Sequence, residues 1–246
     1  MGPLRLSMPY SSAEVMVAEA AREIADGEVV FVGMRLPLIA FVVAKRTHAP
    51  NAIGLFELGV MRDVPSPELL YTMGDTPNVR GATWCARTVD LMGLLQQGAV
   101  DAGFIGGAEM DRHGNLNTTA IGADRARPAV QLPGSGGGAD IASLAGRLIV
   151  IMPHDKKRLR EKVDFVTSPG DRAATLITTL GVFRFVRGEA VLASYHHGAN
   201  VQACADNTGW PLNVAPDVRE TPSPSAEVLR IIRGYDPEGF WTRRAD

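Results

Sequence analysis

Cysteine is scarce in this chain, with two residues, Cys85 and Cys204, among 246. Two cysteines cannot make a disulfide framework, so stability must come from a packed core, and a reducing cytoplasm is the expected compartment. Positive charge is not in excess either: 25 Lys and Arg meet 27 Asp and Glu, a formal net charge of −2. A phosphate backbone would find no general cationic surface, and no nucleic-acid partner is expected. No apolar run has the length of a membrane span and no signal-peptide pattern opens the chain, so no membrane association is expected. The five histidines, His48, His113, His154, His196 and His197, lack metal-ligand spacing, and no metal is expected. Repeats and low-complexity tracts are missing, which leaves solenoid and linker architectures without support.

What is present is a hydrophobic content of 46%, enough for a sizeable core, and the whole of 1–246 is expected to form one domain. Ser11 and Glu14 stand at capping-box spacing before a helical run through Ile24 that closes at Asp26-Gly27. A β-branched run over 28–32 then ends at Gly33, and Pro37 opens an apolar helix reaching His48. Strands are expected over 53–57, 102–105 and 147–152, with a helix over 89–97. Strands alternating with helices argue for an α/β fold with an open, largely parallel sheet flanked by helices. Toward the end, Arg187-Gly188 marks a hairpin within 184–194, and a last helix is expected over 225–233. The basic run Lys156-Lys-Arg158-Leu-Arg160 reads as a solvated helix face, with the phosphates of a ligand as the competing use.

Four segments carry residues suited to chemistry. Phe56-Glu57-Leu58-Gly59 puts a carboxylate at a strand end beside a glycine able to turn tightly, and strand ends are where α/β sheets bind ligands. Taken alone, such a glutamate serves more often as a cap or an ion-pair partner. Val32-Gly33-Met34-Arg35-Leu36-Pro37 joins a strand to a helix whose amides can face an anion, but the loop lacks the spacing of a dinucleotide fingerprint and the lysine of a P-loop. Phe104-Ile-Gly106-Gly107-Ala108 runs a buried strand into a polar turn at 111–119. Gly134-Ser135-Gly136-Gly137-Gly138 would pass for a flexible linker, yet it lies mid-domain, where close approach of backbone to a ligand is the competing explanation.

In order, these segments resemble the class I coenzyme A transferase family, and within it the beta-type chain of glutaconate CoA-transferase. The resemblance rests on Leu36-Pro-Leu-Ile39, Ala44-Lys-Arg46, Ala49-Pro50, Glu57-x-Gly59 and Phe104-Ile-Gly-Gly-Ala108. It continues through Asp111-x-x-Gly-Asn115-x-Asn117, Gly134-Ser-Gly-Gly137 and Asp164-x-Val-Thr-Ser-Pro-Gly170. It implies an alpha subunit of similar fold as partner in a heterodimer or heterotetramer, with the active site between subunits. Coenzyme A is implied as part of the substrate, with no permanently bound cofactor. By the same resemblance Glu57 attacks the thioester of a short unsaturated dicarboxylyl-CoA such as glutaconyl-CoA, forming an acyl-glutamyl anhydride and then a glutamyl-CoA thioester. Substrate and CoA would be met by Gly33, Met34, Arg35, Leu58 and Gly59, with Cys85 close by, and by Gly106, Gly107, Ser135, Gly136 and Gly137.

The sequence departs from the family where Arg35 stands in place of a small residue and Leu58 in place of a small polar residue or Asn. Arg35 reads three ways: a fork for a substrate carboxylate, a partner of Glu57, or a surface residue. Cys85 reads as a small buried hydrophobe rather than a nucleophile, since no His stands nearby in sequence. The enlarged Met34, Arg35 and Leu58 motivate a second reading, a cofactor-free decarboxylase of a 3-methylglutaconyl-CoA-like substrate, or an acyl-CoA hydrolase, using the same pocket.

Overall fold

The computed structural model describes residues 10–122 and 124–243. Helix α1 (Ser12–Arg22) begins where the capping pattern requires: the Ser11 hydroxyl accepts from the Glu14 amide, and the Glu14 carboxylate accepts from the Ser11 amide. Strand β1 (Val29–Phe31), helix α2 (Leu36–Arg46) and strand β2 (Ile53–Phe56) follow, and the chain then doubles back as β3 (Val60–Arg62). A one-turn helix α3 (Thr76–Val79), edge strand β4 (Trp84–Cys85) and helix α4 (Thr88–Gln96) lead to β5 (Ala102–Ile105). Two small ribbons come next, β6 (Glu109–Met110) with β7 (Leu116–Asn117), and β8 (Ala120–Ile121) with β9 (Val130–Gln131). Helix α5 (Gly138–Leu144), then β10 (Arg147–Ile151) and β11 (Ala173–Ile177), complete the parallel region. The remainder is the hairpin β12 (Gly181–Val186) and β13 (Glu189–Tyr195), helix α6 (Val201–Asp206), strand β14 (Asn213–Glu220) and helix α7 (Ala226–Tyr235).

Ten strands form one sheet in the order β14-β13-β12-β11-β10-β5-β1-β2-β3-β4. Its middle, β11-β10-β5-β1-β2, is parallel throughout, antiparallel pairings begin both flanks, and β14 returns parallel to β13 at one edge. Successive side chains of a strand point to opposite faces, so alternate residues feed two cores. Val30, Phe104 and Ile149 pack with α1, α2 and α7, whereas Phe31, Leu148 and Val150 pack with α4 and α5. Burial on both faces accounts for the continuous apolar runs read as parallel strands. From β1 the chain crosses through α2 to β2 on one side, and later returns to β5 on the other. The loops leaving β1 and β5 therefore diverge and open a crevice at their carboxyl ends.

The expected hairpin forms around Arg187-Gly188, both at positive φ, 53° and 78°, as a two-residue turn with the strand twist demands. The basic run at 156–160 is not a helix. The Asp155 carboxylate accepts from the amides of Lys157 and Arg158 and closes a tight turn, after which the Arg160 guanidinium is drawn to the buried Glu109. His196, in the loop after β13, is buried, its ring bonded to the Thr178 carbonyl and the Thr221 hydroxyl. Among the described residues no helix is long and apolar enough to cross a membrane, and no group of three or more His, Cys, Asp or Glu could hold a metal ion.

Candidate active site at the strand ends

A cavity of about 490 Å³ occupies the crevice at the carboxyl ends of the parallel strands. Its walls come from the loops after β1, β2, β5, β10 and β11 and from the glycine-rich segment before α5. Glu57 lines it together with Gly33, Met34, Arg35, Gly106, Gly107 and Ser135, which lie far apart along the chain. Leu58, Gly59, Cys85, Gly136 and Gly137 are not among the lining residues.

Glu57 is half-buried one residue beyond β2, and its Oε1 accepts a hydrogen bond from the Gly137 amide at 2.9 Å. Gly59 makes that position possible. Its φ of +96° belongs to glycine, and a Cβ there would sit 2.0 Å from the Ala86 carbonyl oxygen. The Ala86 amide donates to the Gly59 carbonyl, and Val60 pairs with Cys85, so the 84–86 segment braces the Glu57 turn from outside. Cys85 itself is exposed, contrary to the buried hydrophobe expected, because it sits on the short edge strand of the sheet. Leu58 is also turned outward, 57% exposed, toward Gly74.

The glycine-rich segment is not a linker. The Gly134 amide donates to the Thr118 carbonyl and the Gly138 amide to the Ser135 carbonyl, which fixes the loop against the ribbon region. Gly137 has ordinary dihedrals, φ −79° and ψ −2°, so space rather than conformation calls for glycine here. A Cβ would lie 2.7 Å from Met92 Cε and 3.2 Å from Glu57 Oε1. Gly33 plays the same part on the opposite wall, where a Cβ would meet the Phe104 carbonyl oxygen at 2.5 Å.

Arg35 precedes α2 at φ 71° and ψ −117°, a region natural for glycine and costly for other residues. Its guanidinium lies over the Trp241 ring, 5.5 Å from the centroid, and makes no ion pair with Glu57. Trp241 is itself fixed: its indole N–H donates to the Leu70 carbonyl and its amide to the Asp236 carboxylate. The other cation lining the cavity, Arg158, is paired with Asp155 at 3.3 Å. Trp241 escaped sequence reasoning as a site residue, whereas Arg158 belongs to the basic run for which ligand phosphates stood as the competing use. Trp241 follows a terminal helix with no motif around it.

Behind the β11 end of the cavity sit two buried histidines. Thr178 joins them, its hydroxyl to His154 and its carbonyl to His196. Burial pushes both imidazoles down to about 4, and both stay neutral at physiological pH.

Comparison with known proteins gives a consistent picture. The chain is 33% identical to the beta-type (B) chain of 3-oxoadipate CoA-transferase from Pseudomonas knackmussii, over 92% of this chain and 94% of that one. It is 32% identical to the corresponding chain of glutaconate CoA-transferase from Acidaminococcus fermentans, over 91% of each. Among solved structures, the glutaconate coenzyme A-transferase of the same organism superposes with a TM-score of 0.88 at 30% identity, covering 95% of this chain and 98% of that one. The decarboxylase AibA/AibB superposes with a TM-score of 0.87 at 32% identity, covering 94% and 97%. The family model described as Coenzyme A transferase matches residues 14–207, and the chain accordingly belongs to the coenzyme A transferase family, as an enzyme subunit of the beta type.

Proposed function

We propose that the chain is the beta subunit of a two-subunit transferase that moves coenzyme A between short dicarboxylic acids, with Glu57 as the nucleophile. The observation that carries this reading is the placement of Glu57 inside the cavity with its Oε1 bonded to the Gly137 amide. A carboxylate needs no separate base to attack a thioester. Glu57 adds to the thioester carbonyl, thiolate leaves, and an acyl-glutamyl anhydride remains. The thiolate then attacks the glutamyl carbonyl, releasing the first acid and leaving a glutamyl-CoA thioester. An acceptor carboxylate reverses the two steps, restoring Glu57 as a free carboxylate.

In the second step the glutamyl carbonyl itself becomes the electrophile, and negative charge develops on one of its oxygens. With Oε1 in the carbonyl role, the Gly137 amide stands at the distance required of an oxyanion donor, and such a donor is typically worth about 3 kcal/mol. Short dicarboxylic acids are the acyl groups named for two of the relatives, 3-oxoadipate and glutaconate. CoA enters as substrate, and an alpha subunit is the expected partner, since both relatives are beta-type chains. The test is chemical trapping: after incubation with acyl-CoA, borohydride or hydroxylamine is expected to modify Glu57. An unmodified Glu57 rules out covalent transfer.

The likeness to the decarboxylase AibA/AibB supports a second reading, loss of CO₂ from a conjugated dicarboxylyl-CoA in the same cavity. Of the three enlarged residues that motivate it, Leu58 points away from the cavity, while Met34 and Arg35 line it. Full activity of Glu57→Ala without any acceptor acid would favour decarboxylation, and strict dependence on an acceptor would sink it.

A further inference from the structure

We propose that Arg35 selects acyl groups that carry a second, free carboxylate, its guanidinium being held on the Trp241 ring to receive that group. The proposal deepens the transferase reading and rests on it only for the location of the acyl chain. Three observations converge on Arg35. It lines the same cavity as Glu57, so a chain whose reacting carbonyl meets Glu57 has its far end within the same enclosure. Among the described residues it is the one cation of that cavity without an acidic partner, since Arg158 is engaged by Asp155. Arg35 is exposed, at the side of the cavity that meets solvent, and a carboxylate leaving water for the partly apolar wall there gains a charge-assisted partner in its guanidinium.

The third observation is the backbone. At φ 71° and ψ −117° an arginine is strained where a glycine would not be, and strain of this kind persists where the surroundings over-determine it, often at binding sites. The Trp241 shelf supplies a reason to hold the side chain. A guanidinium stacked on an aromatic face keeps its edge of N–H donors open for a bidentate carboxylate and loses little freedom on binding.

The test measures binding of two probes to the chain assembled with its partner subunit, in a Glu57→Gln background where no turnover occurs. The probes are glutaryl-CoA and valeryl-CoA, thioesters of equal carbon number that differ in the terminal carboxylate. Arg35→Met is expected to weaken glutaryl-CoA by about 10- to 100-fold and to leave valeryl-CoA within about threefold. Arg35→Lys, which keeps the charge and loses the fork, should retain part of the preference, and Trp241→Leu should lose part of it. Arg35→Gly should lose the preference while its melting temperature rises, a pairing that a merely structural arginine would not produce. Equal weakening of both thioesters would place Arg35 against the CoA moiety and overturn the proposal, as would a parent protein without preference. The trapping of Glu57 is read separately with native Glu57: a failed trap beside an intact glutaryl preference removes the transferase reading and leaves the assignment of Arg35 standing.

Discussion

Glu57 and Arg35 line one cavity from the loops after two neighbouring strands, Glu57 in the turn from β2 into β3 and Arg35 at the start of α2, but the two positions are held differently. The Glu57 turn is tied at Gly59 to the Ala86 backbone and its carboxylate to the Gly137 amide, with glycines wherever a Cβ would intrude. At the Arg35 turn a residue other than glycine occupies a glycine conformation and carries a guanidinium with no acid beside it. One wall is relaxed, its carboxylate tied through Oε1 to a backbone amide, as a reacting group that must not wander requires. The other stores strain and presents an unpaired charge, as expected of a group whose partner arrives with the substrate.

The comparison is broken most sharply at Glu57. Replacing it by alanine is expected to lower kcat for transfer by at least about 10⁴-fold with the fold unchanged, read by steady-state kinetics beside circular dichroism. Gly59→Ala comes next: a Cβ 2.0 Å from the Ala86 carbonyl, at a φ of +96°, should destabilise the protein by about 3 kcal/mol in urea unfolding. A loss below about 1 kcal/mol there would mean that the turn can relax, and that the fixed wall is not fixed.

Gly137→Ala separates positioning from folding. The alanine is conformationally allowed, so stability should change little, while displacement of the Glu57 carboxylate should cost up to about 100-fold in kcat. Acid pH tests the support behind the cavity. His154 and His196 titrate near 4 when folded against an ordinary value of 6.5, so between those values the unfolded chain binds protons that the native state refuses. Stability should therefore fall as pH drops through that window, by about 1 kcal/mol per histidine between pH 7 and pH 5.5, and a flat urea midpoint would contradict it. The smallest effect has the opposite sign: Arg35→Gly removes the strained side chain, a relief larger than the loss of the exposed Trp241 contact, and should stabilise by up to about 1 kcal/mol net.

Much of this architecture could be read along the chain because its signals are local. The Ser11 and Glu14 box, the strand over 102–105, the Arg187-Gly188 turn and the alternation of strand and helix all depend on neighbours within a few residues. The strands that escaped notice, β3, β4, β6 to β9, β11 and β14, are either too short to show a period or owe their pairing to distant partners. The basic run failed as a helix because the Asp155 carboxylate and the buried Glu109 made competing offers to its amides and its last guanidinium.

By itself, the sequence determined the α/β class and marked the glycines, which announce themselves by residue type, while Glu57 became the catalytic candidate through the family resemblance, a strand-end carboxylate alone suiting a cap or an ion pair as well. Only the tertiary structure decided which of these residues share a cavity, that Cys85 and Leu58 face outward, and that Arg35 rests on Trp241 rather than on Glu57. The reason is physical: a side chain's direction follows from sheet order and the path of the terminal segment, and those are set by burial across the whole chain rather than by any local pattern.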